Sequence, residues 1–253
     1  MDLQLAGLKA LVTGGTRGIG RAIVERLAAE GADLALCARD AAAVDATVRQ
    51  LRASGKRATG AAVDVSDGDA LRRFVDASAA ELGGLDIVVA NVSALAIGQD
   101  EASWRQEFET DLMGTVRLVD AAMPMLRRSR AASIVAISSV SGREIDFAAG
   151  PYGTFKAALI HYVQGLAYQL AGAGIRANVV SPGNVYFEGG VWPHIEKTNP
   201  TLFAEALALN PTGRMGRPEE IANVVAFVAS PLASFVSGAN VLVDGALTRG
   251  VQF

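Results

Sequence analysis

The sequence predicts an α/β protein: a doubly wound, mostly parallel sheet of seven strands with helices on both faces, folded as a single domain over residues 1–253. Three observations carry this expectation. Short β-rich runs alternate with segments of helical period along the whole chain. Several of those runs are apolar on both alternating faces, as in strands covered on both sides. No linker, low-complexity tract or internal repeat divides the 253 residues, a length at which α/β units commonly stay undivided.

The elements follow in order. "KALVTGG" from Lys9 reads as the first strand, and Ile19, Ile23 and Leu27 mark the helix after it. "DLALCAR" from Asp33 is the second strand, followed by a helix carrying Val44, Val48 and Leu51. "ATGAAVDV" from Ala58 is the third, with Leu71, Val75 and Leu82 on the next helix. "DIVVAN" from Asp86, "SIVAISS" from Ser133, "RANVVSPG" from Arg176 and "NVLVDG" from Asn240 complete the set. Ile221, Val224, Val225 and Val228 give a last amphipathic helix. Such alternation predicts right-handed crossovers, with ligands at the carboxyl ends of the strands.

Composition narrows the function. With 51% hydrophobic and 19% charged residues and a net charge of -3, the chain has the balance of a globular protein without the basic footprint of a nucleic-acid or anionic-membrane binder. Its partner is expected to be a small molecule. The single cysteine, Cys37, excludes an internal disulfide and a Cys-rich metal site, and no metal is expected. Apolar runs such as "SIVAI" fall far short of the roughly 20 residues that span a bilayer, and the opening "MDLQLAGLKA" lacks a signal pattern. The expectation is a cytoplasmic protein.

The first strand ends in "TGGTRGIG", which spaces Gly14, Gly18 and Gly20 before a helix. Glycines there let the backbone turn sharply and approach a pyrophosphate, whose charge the helix N-terminus meets. Dinucleotide binding is the expected use, against a ligand-free glycine turn. Tyr152 and Lys156, in "GPYGTFKAALIHY", are four residues apart and share a face if the segment is helical. Hydride transfer to a carbonyl leaves an alkoxide in need of a proton, and a nearby ammonium makes a phenol of ordinary pKa about 10 a better donor-acceptor near neutrality. In a chain with four tyrosines, an accidental pair of this spacing is expected only roughly 0.06 times. Tyr162 and Tyr168 lack such a partner and are read as packing residues. With two histidines, His161 and His194, and no glycine-flanked serine elbow, a hydrolase triad is disfavoured.

These segments, taken in order, resemble the short-chain dehydrogenase/reductase family over essentially the whole chain. "TGGTRGIG" resembles its cofactor turn, and "VDV" at Val63 to Val65 the adenine-contacting segment. "ISSVSG" at Ile137 to Gly142 resembles its serine segment, "YGTFK" its Tyr-x-x-x-Lys pair and "SPGNV" at Ser181 to Val185 its Pro-Gly nicotinamide loop. The resemblance implies a Rossmann-type sheet and a hydride-transferring oxidoreductase acting on a carbonyl or secondary alcohol. It implies cofactor contacts at Gly14, Thr16, Arg17, Gly18, Ile19, Gly20, Arg39, Asp64, Val65, Asn91, Tyr152, Lys156, Pro182, Gly183 and Val185. It also implies that Tyr152 moves the proton, Ser139 rather than Ser138 steadies the substrate oxygen, and Lys156 tunes Tyr152 and binds ribose. A homodimer or homotetramer through helices near residues 101–128 and 150–172 is implied as well.

The chain departs from the family pattern in two places. "ANVS" keeps Asn91 but puts Ser93 where a glycine is usual, and "WRQEFETDLMG" from Trp104 carries Asp111 where the family has a catalytic Asn. Asp111 is expected to seat a relay water and to oppose phenolate formation at Tyr152; the alternative is a helix residue with no part in the chemistry. Arg17 and Arg39 favour NADP(H) over NAD(H), since a 2′-phosphate needs cations, although Asp40 one residue on suits a free ribose. Residues 184–215, rich in aromatics and broken by Gly and Pro, read as a substrate lid or as a helical hairpin that packs on the domain. Arg143, Glu144 and Asp146 are candidate polar contacts. The competing functions are a nucleotide-sensing regulatory module and a dehalogenase-like relative.

Overall fold

The structure, a computed structural model, describes residues 2–250; Met1 and residues 251–253 of the expected domain lie outside them. Seven strands form one sheet: β1 (Lys9–Thr13), β2 (Asp33–Ala38), β3 (Ala58–Ala62), β4 (Ile87–Ala90), β5 (Ser133–Ile137), β6 (Arg176–Pro182) and β7 (Asn240–Val243). Their order is β3-β2-β1-β4-β5-β6-β7, and every neighbouring pair is parallel. Buried on both faces, the inner strands have little polar side to spare, which is why β4, and β5 after Ser133, read as apolar runs.

The helices divide between the two faces. α1 (Gly18–Ala29), α2 (Ala41–Ala53) and α9 (Pro218–Ala229) cover one with Ile23, Leu27, Val48 and Val225. α3 (Gly68–Leu82), α5 (Gly114–Leu126) and α6 (Pro151–Leu170) cover the other with Leu71, Leu118, Val119 and Val163. Each fully buried Leu, Ile or Val contributes on the order of 1.5–3 kcal/mol of hydrophobic stabilisation before chain entropy is set against it. The periodic positions read from the sequence are the ones that face the sheet. Tyr168 is the exception, since it is 89% exposed on α6 and packs into neither core.

The strand order reverses between β1 and β4, so the carboxyl ends of these strands splay their connections apart and open a crevice. Two local features shape its walls. Gly150, at φ 141°, precedes Pro151 at the first turn of α6, a backbone only glycine adopts freely and a proline placed where its missing N–H costs nothing. Between α4 (Glu101–Glu107) and α5, residues Phe108–Met113 form a π-helical segment. Widening the turn there re-aims the side chains around it, and Glu107 and Asp111 both end fully buried. No helix among the described residues is long and apolar enough to cross a membrane.

Candidate active site

The glycine turn lies at the switch point. Gly14 and Gly18 have φ of 68° and 53°, in the left-handed region that disfavours side chains. A β-carbon on Gly20 would stand 2.0 Å from the Gly14 carbonyl oxygen and 2.4 Å from Asn91 Nδ2, so the turn closes only with glycine. Asn91 braces it from the end of β4, donating through Nδ2 to the Thr13 and Gly14 carbonyls at 3.1 and 3.3 Å. Its backbone N–H donates to Thr13 Oγ1 at 3.1 Å. Helices α2, α3 and α4 are capped by Asp40, Asp67 and Asp100, whereas Arg17 at the start of α1 supplies no side-chain cap. The amides of that first turn, with the helix dipole behind them, therefore remain for an anionic ligand. This cradle fits a dinucleotide pyrophosphate. Thr16 and Ile19 line the same turn, both partly buried.

At the end of β2, Asp40 is occupied: its carboxylate accepts from Ala42 and Ala43 N–H and caps α2. Arg39 is exposed, with Asp64 near enough for the guanidinium to help lower that carboxyl's pKa, after the larger effect of hydrogen bonds from Ser66. Val65 is buried beside Gly114. Cys37 is buried, and burial pushes its thiol up to about 12, so it is an inert core residue. Across the crevice Pro182 ends β6, Gly183 passes so close to Asp244 that a β-carbon would lie 2.9 Å from its Cα, and Val185 bridges to Gly216.

Tyr152 and Lys156 lie on one face of α6, with Lys156 Nζ 5.5 Å from the centre of the Tyr152 ring. Lys156 is 2% exposed; its ammonium donates to the Ile137 carbonyl at 3.1 Å and pairs with Asp111 Oδ2 at 2.9 Å. Burial alone would lower its pKa, but Asp111 and the Tyr152 oxygen outweigh it and hold the amine above its ordinary value. Ser139 Oγ accepts the Ser141 N–H at 3.1 Å and donates to Ser141 Oγ at 3.2 Å, which in turn donates to Asp146 at 2.6 Å. It also acts on the Tyr152 hydroxyl, whose pKa it pulls down. Ser138 faces away, donating to the Lys156 carbonyl at 2.8 Å.

The expected depression of the Tyr152 pKa is corrected by the balance of its surroundings. Burial raises it above its ordinary value, and Asp111 and Glu107 add to the rise; Lys156 and Ser139 pull it down but are outweighed. Asp111 has its carboxylate, not only its backbone, in the site: Oδ1 accepts the Ala94 N–H at 2.8 Å. Glu107 went unnoticed in the sequence, although a carboxylate four residues before Asp111, between Trp104 and Phe108, was a visible signal for one shared helical face. Its carboxyl is pushed up to about 8, by burial first and by the Asp111 charge second.

The segment over 184–215 contains α7 (Val191–Thr198) and α8 (Pro200–Ala208). They enclose a small core of their own, Trp192, Ala206 and Met215 with Ile195 and Phe203 against it. Trp192 meets Phe147 edge-on at 5.7 Å between centroids, tying the segment to the loop after Ser139. Phe187, one of the aromatics of the expected lid, lies on the glycine turn, within 2.6 Å of where a Gly18 β-carbon would be. Asp146 and Glu144 serve the local backbone instead of facing the crevice freely: Asp146 holds Ser141 and Ala148, and Glu144 accepts the N–H groups of Arg249 and Gly250. Among the described residues no group of three or more His, Cys, Asp or Glu could hold a metal.

An all-parallel sheet with a glycine turn at its switch point and a Tyr-Lys pair across the crevice defines a nicotinamide-dependent oxidoreductase architecture. A family profile described as "Enoyl-(Acyl carrier protein) reductase" matches residues 14–248. Isoepoxydon dehydrogenase patN of Penicillium expansum is 42% identical over 254 residues, covering 98% of each chain. A short-chain dehydrogenase from Burkholderia cenocepacia, solved with NADP, superposes with a TM-score of 0.85 at 32% identity, over 96% of this chain and 99% of that one. A 7α-hydroxysteroid dehydrogenase solved with NADH gives 0.89 at 27% identity, over 97% and 96%. The chain belongs to the short-chain dehydrogenase/reductase family, and it is an oxidoreductase acting on alcohol and ketone groups.

Proposed function

We propose that the chain reduces a ketone of appreciable apolar area, with Tyr152 as the proton donor, Ser139 as the hydrogen-bond donor to the substrate oxygen, and NADPH as the preferred cofactor. The observation that carries this reading is the meeting of the Tyr152 phenol, the Ser139 hydroxyl and the Lys156 ammonium, on a sheet whose first strand ends at the uncapped α1 N-terminus. Bound in the cradle of Gly14, Gly18 and Gly20, the nicotinamide dinucleotide supplies the hydride.

As the substrate oxygen gains charge, Tyr152 gives up its proton to it. A phenol held above its ordinary pKa is protonated through the neutral range, the form that donates. The Ser141 N–H donates to Ser139 Oγ and so leaves the serine hydrogen free to swing from Ser141 to the substrate. Lys156 keeps one ammonium N–H beyond its contacts to Ile137 and Asp111, suited to a ribose hydroxyl. Asp111 anchors that ammonium.

The NADP(H) preference rests on charge. Asp40 is committed to capping α2, and Arg39 and Arg17 are exposed on the adenosine side, where guanidinium groups suit a 2′-phosphate. Residues 184–215 act as the substrate lid in this reading; their aromatic contacts and the approach of Phe187 to the glycine turn support it. A homodimer or homotetramer fits the exposed Phe108 and Tyr168 on the π-segment and α6, and light scattering tests it. The test of the function is oxidation of NADPH and NADH across a panel of apolar and polar ketones. Turnover of apolar ketones with NADPH favoured is expected; tight nucleotide binding with no turnover of any carbonyl would favour a sensing module.

A further inference from the structure

Glu107 and Asp111 reach the site from a single stretch of helix, and nucleotide or substrate binding accounts for only one of them. Both are fully buried. Asp111 Oδ1 accepts the Ala94 N–H and Glu107 Oε1 accepts the Ala96 N–H. Between those two donors Leu95 sits at φ 53°, a left-handed residue that turns both amides to one side, an arrangement suited to negative charge. Each carboxyl keeps a second oxygen, Glu107 Oε2 and Asp111 Oδ2, with no hydrogen bond from any described residue. Asp111 Oδ2 stands 2.9 Å from Lys156 Nζ, and the Asp111 charge acts directly on the Glu107 carboxyl.

The charges do not close if both acids are ionised. Among the described residues Lys156 from α6 is the cation that faces them, Tyr152 stands near them as a neutral hydroxyl, and the loop after β4 turns the Ala94 and Ala96 N–H groups to them. Glu109 and Arg117 pair with each other at 2.8 Å on the more exposed side. Two buried carboxylates against one ammonium would leave a net negative charge away from water, a strongly unfavourable state. One proton between Glu107 Oε2 and Asp111 removes that charge and gives the orphaned oxygen a partner, as in other close carboxyl pairs.

We propose that Glu107 is a positioning residue that holds this proton and donates it to Asp111, so that the pair carries one negative charge matched to Lys156 and fixes the charge that Tyr152 works against. The last clause rests on the role proposed for Tyr152; the shared proton does not. Loss of that proton in alkaline solution adds a second negative charge beside the phenol and makes Tyr152 harder to ionise.

Infrared spectroscopy of the full chain in water and deuterium oxide reads the proton directly. At neutral pH the wild type is expected to show the carbonyl stretch of a protonated carboxylic acid, lost on passing about pH 8, and Glu107→Gln is expected to lack it at neutral pH, where the ordinary carboxyls are ionised. Absence of the band from the wild type, or its persistence in Glu107→Gln, overturns the proposal. In turnover, Glu107→Leu should lower kcat about tenfold or more, with Glu107→Gln restoring the larger part and removing the alkaline step from the pH profile. A wild-type step near pH 8 in Glu107→Gln, distinct from the higher limb of Tyr152, overturns the proposal as well. If no carbonyl is turned over by any form, the role of Tyr152 fails, while the infrared band still decides the proton.

Discussion

Lys156 Nζ lies 2.9 Å from Asp111 Oδ2 with the two side chains 2% and 0% exposed, so the ammonium that faces the Tyr152 ring is half of a buried ion pair. Removing one partner of such a pair strands the other charge. Asp111→Leu is therefore expected to destabilise the fold by about 3–5 kcal/mol, measured by denaturant unfolding. Asp111→Asn, which retains an acceptor for the Ala94 N–H, is expected to cost less and to move the Tyr152-dependent limb of the pH-rate profile to lower pH, because the Asp111 charge raises the phenol. An unmoved limb would show that the carboxylate has no electrostatic hold on Tyr152.

Glu107 makes stability depend on pH with a definite sign. Its carboxyl has an ordinary value of 4.5 and is held at about 8 in the fold, so the folded state binds the extra proton between those limits. Its contribution is complete below about 4.5 and is lost as pH rises through about 8. Thermal unfolding across this range should fall less steeply in Glu107→Gln than in the wild type. Parallel curves would count against a protonated Glu107.

The glycine turn closes around its own backbone. A β-carbon at Gly20 would stand 2.0 Å from the Gly14 oxygen, so Gly20→Ala must push the first turn of α1 away from β4 and Asn91. Nucleotide affinity is expected to drop at least ~10-fold, with an overpacking cost of about 1–3 kcal/mol; titration by fluorescence and a denaturant melt measure the two. Wild-type nucleotide affinity would mean that the turn does not hold the pyrophosphate.

Arg39 and Asp40 differ in what else they do. The aspartate caps α2 while the arginine extends from the end of β2, so Arg39→Ala should weaken NADPH binding by ~10- to 100-fold, the size of one lost charge-assisted contact. NADH binding should change little. Equal losses for both cofactors would remove the basis for the 2′-phosphate assignment.

Much of this architecture is legible in the sequence because local pattern and global fold agree. Two-faced apolar runs such as "IVVA" and the helical spacing of Ile19, Ile23 and Leu27 each permit one placement in a covered parallel sheet. Tyr152 and Lys156 were legible for the same reason, since a four-residue spacing fixes a shared face. For Glu107 and Asp111 the same spacing was visible, but their burial together was not. It depends on the π-helical segment at Phe108–Met113 and on Leu95 adopting φ 53°, and neither has a residue signature. The direction of the Tyr152 shift was likewise hidden. It is a difference between burial and Lys156, and burial is a property of the assembled crevice.

Whether Tyr152 moves the proton is decided by ketone reduction by Tyr152→Phe at saturating NADPH, with nucleotide binding measured on the same protein. Loss of a positioned general acid predicts a fall in kcat of ~10²- to 10⁴-fold with nucleotide affinity retained. Turnover within about threefold of the wild type would contradict the account.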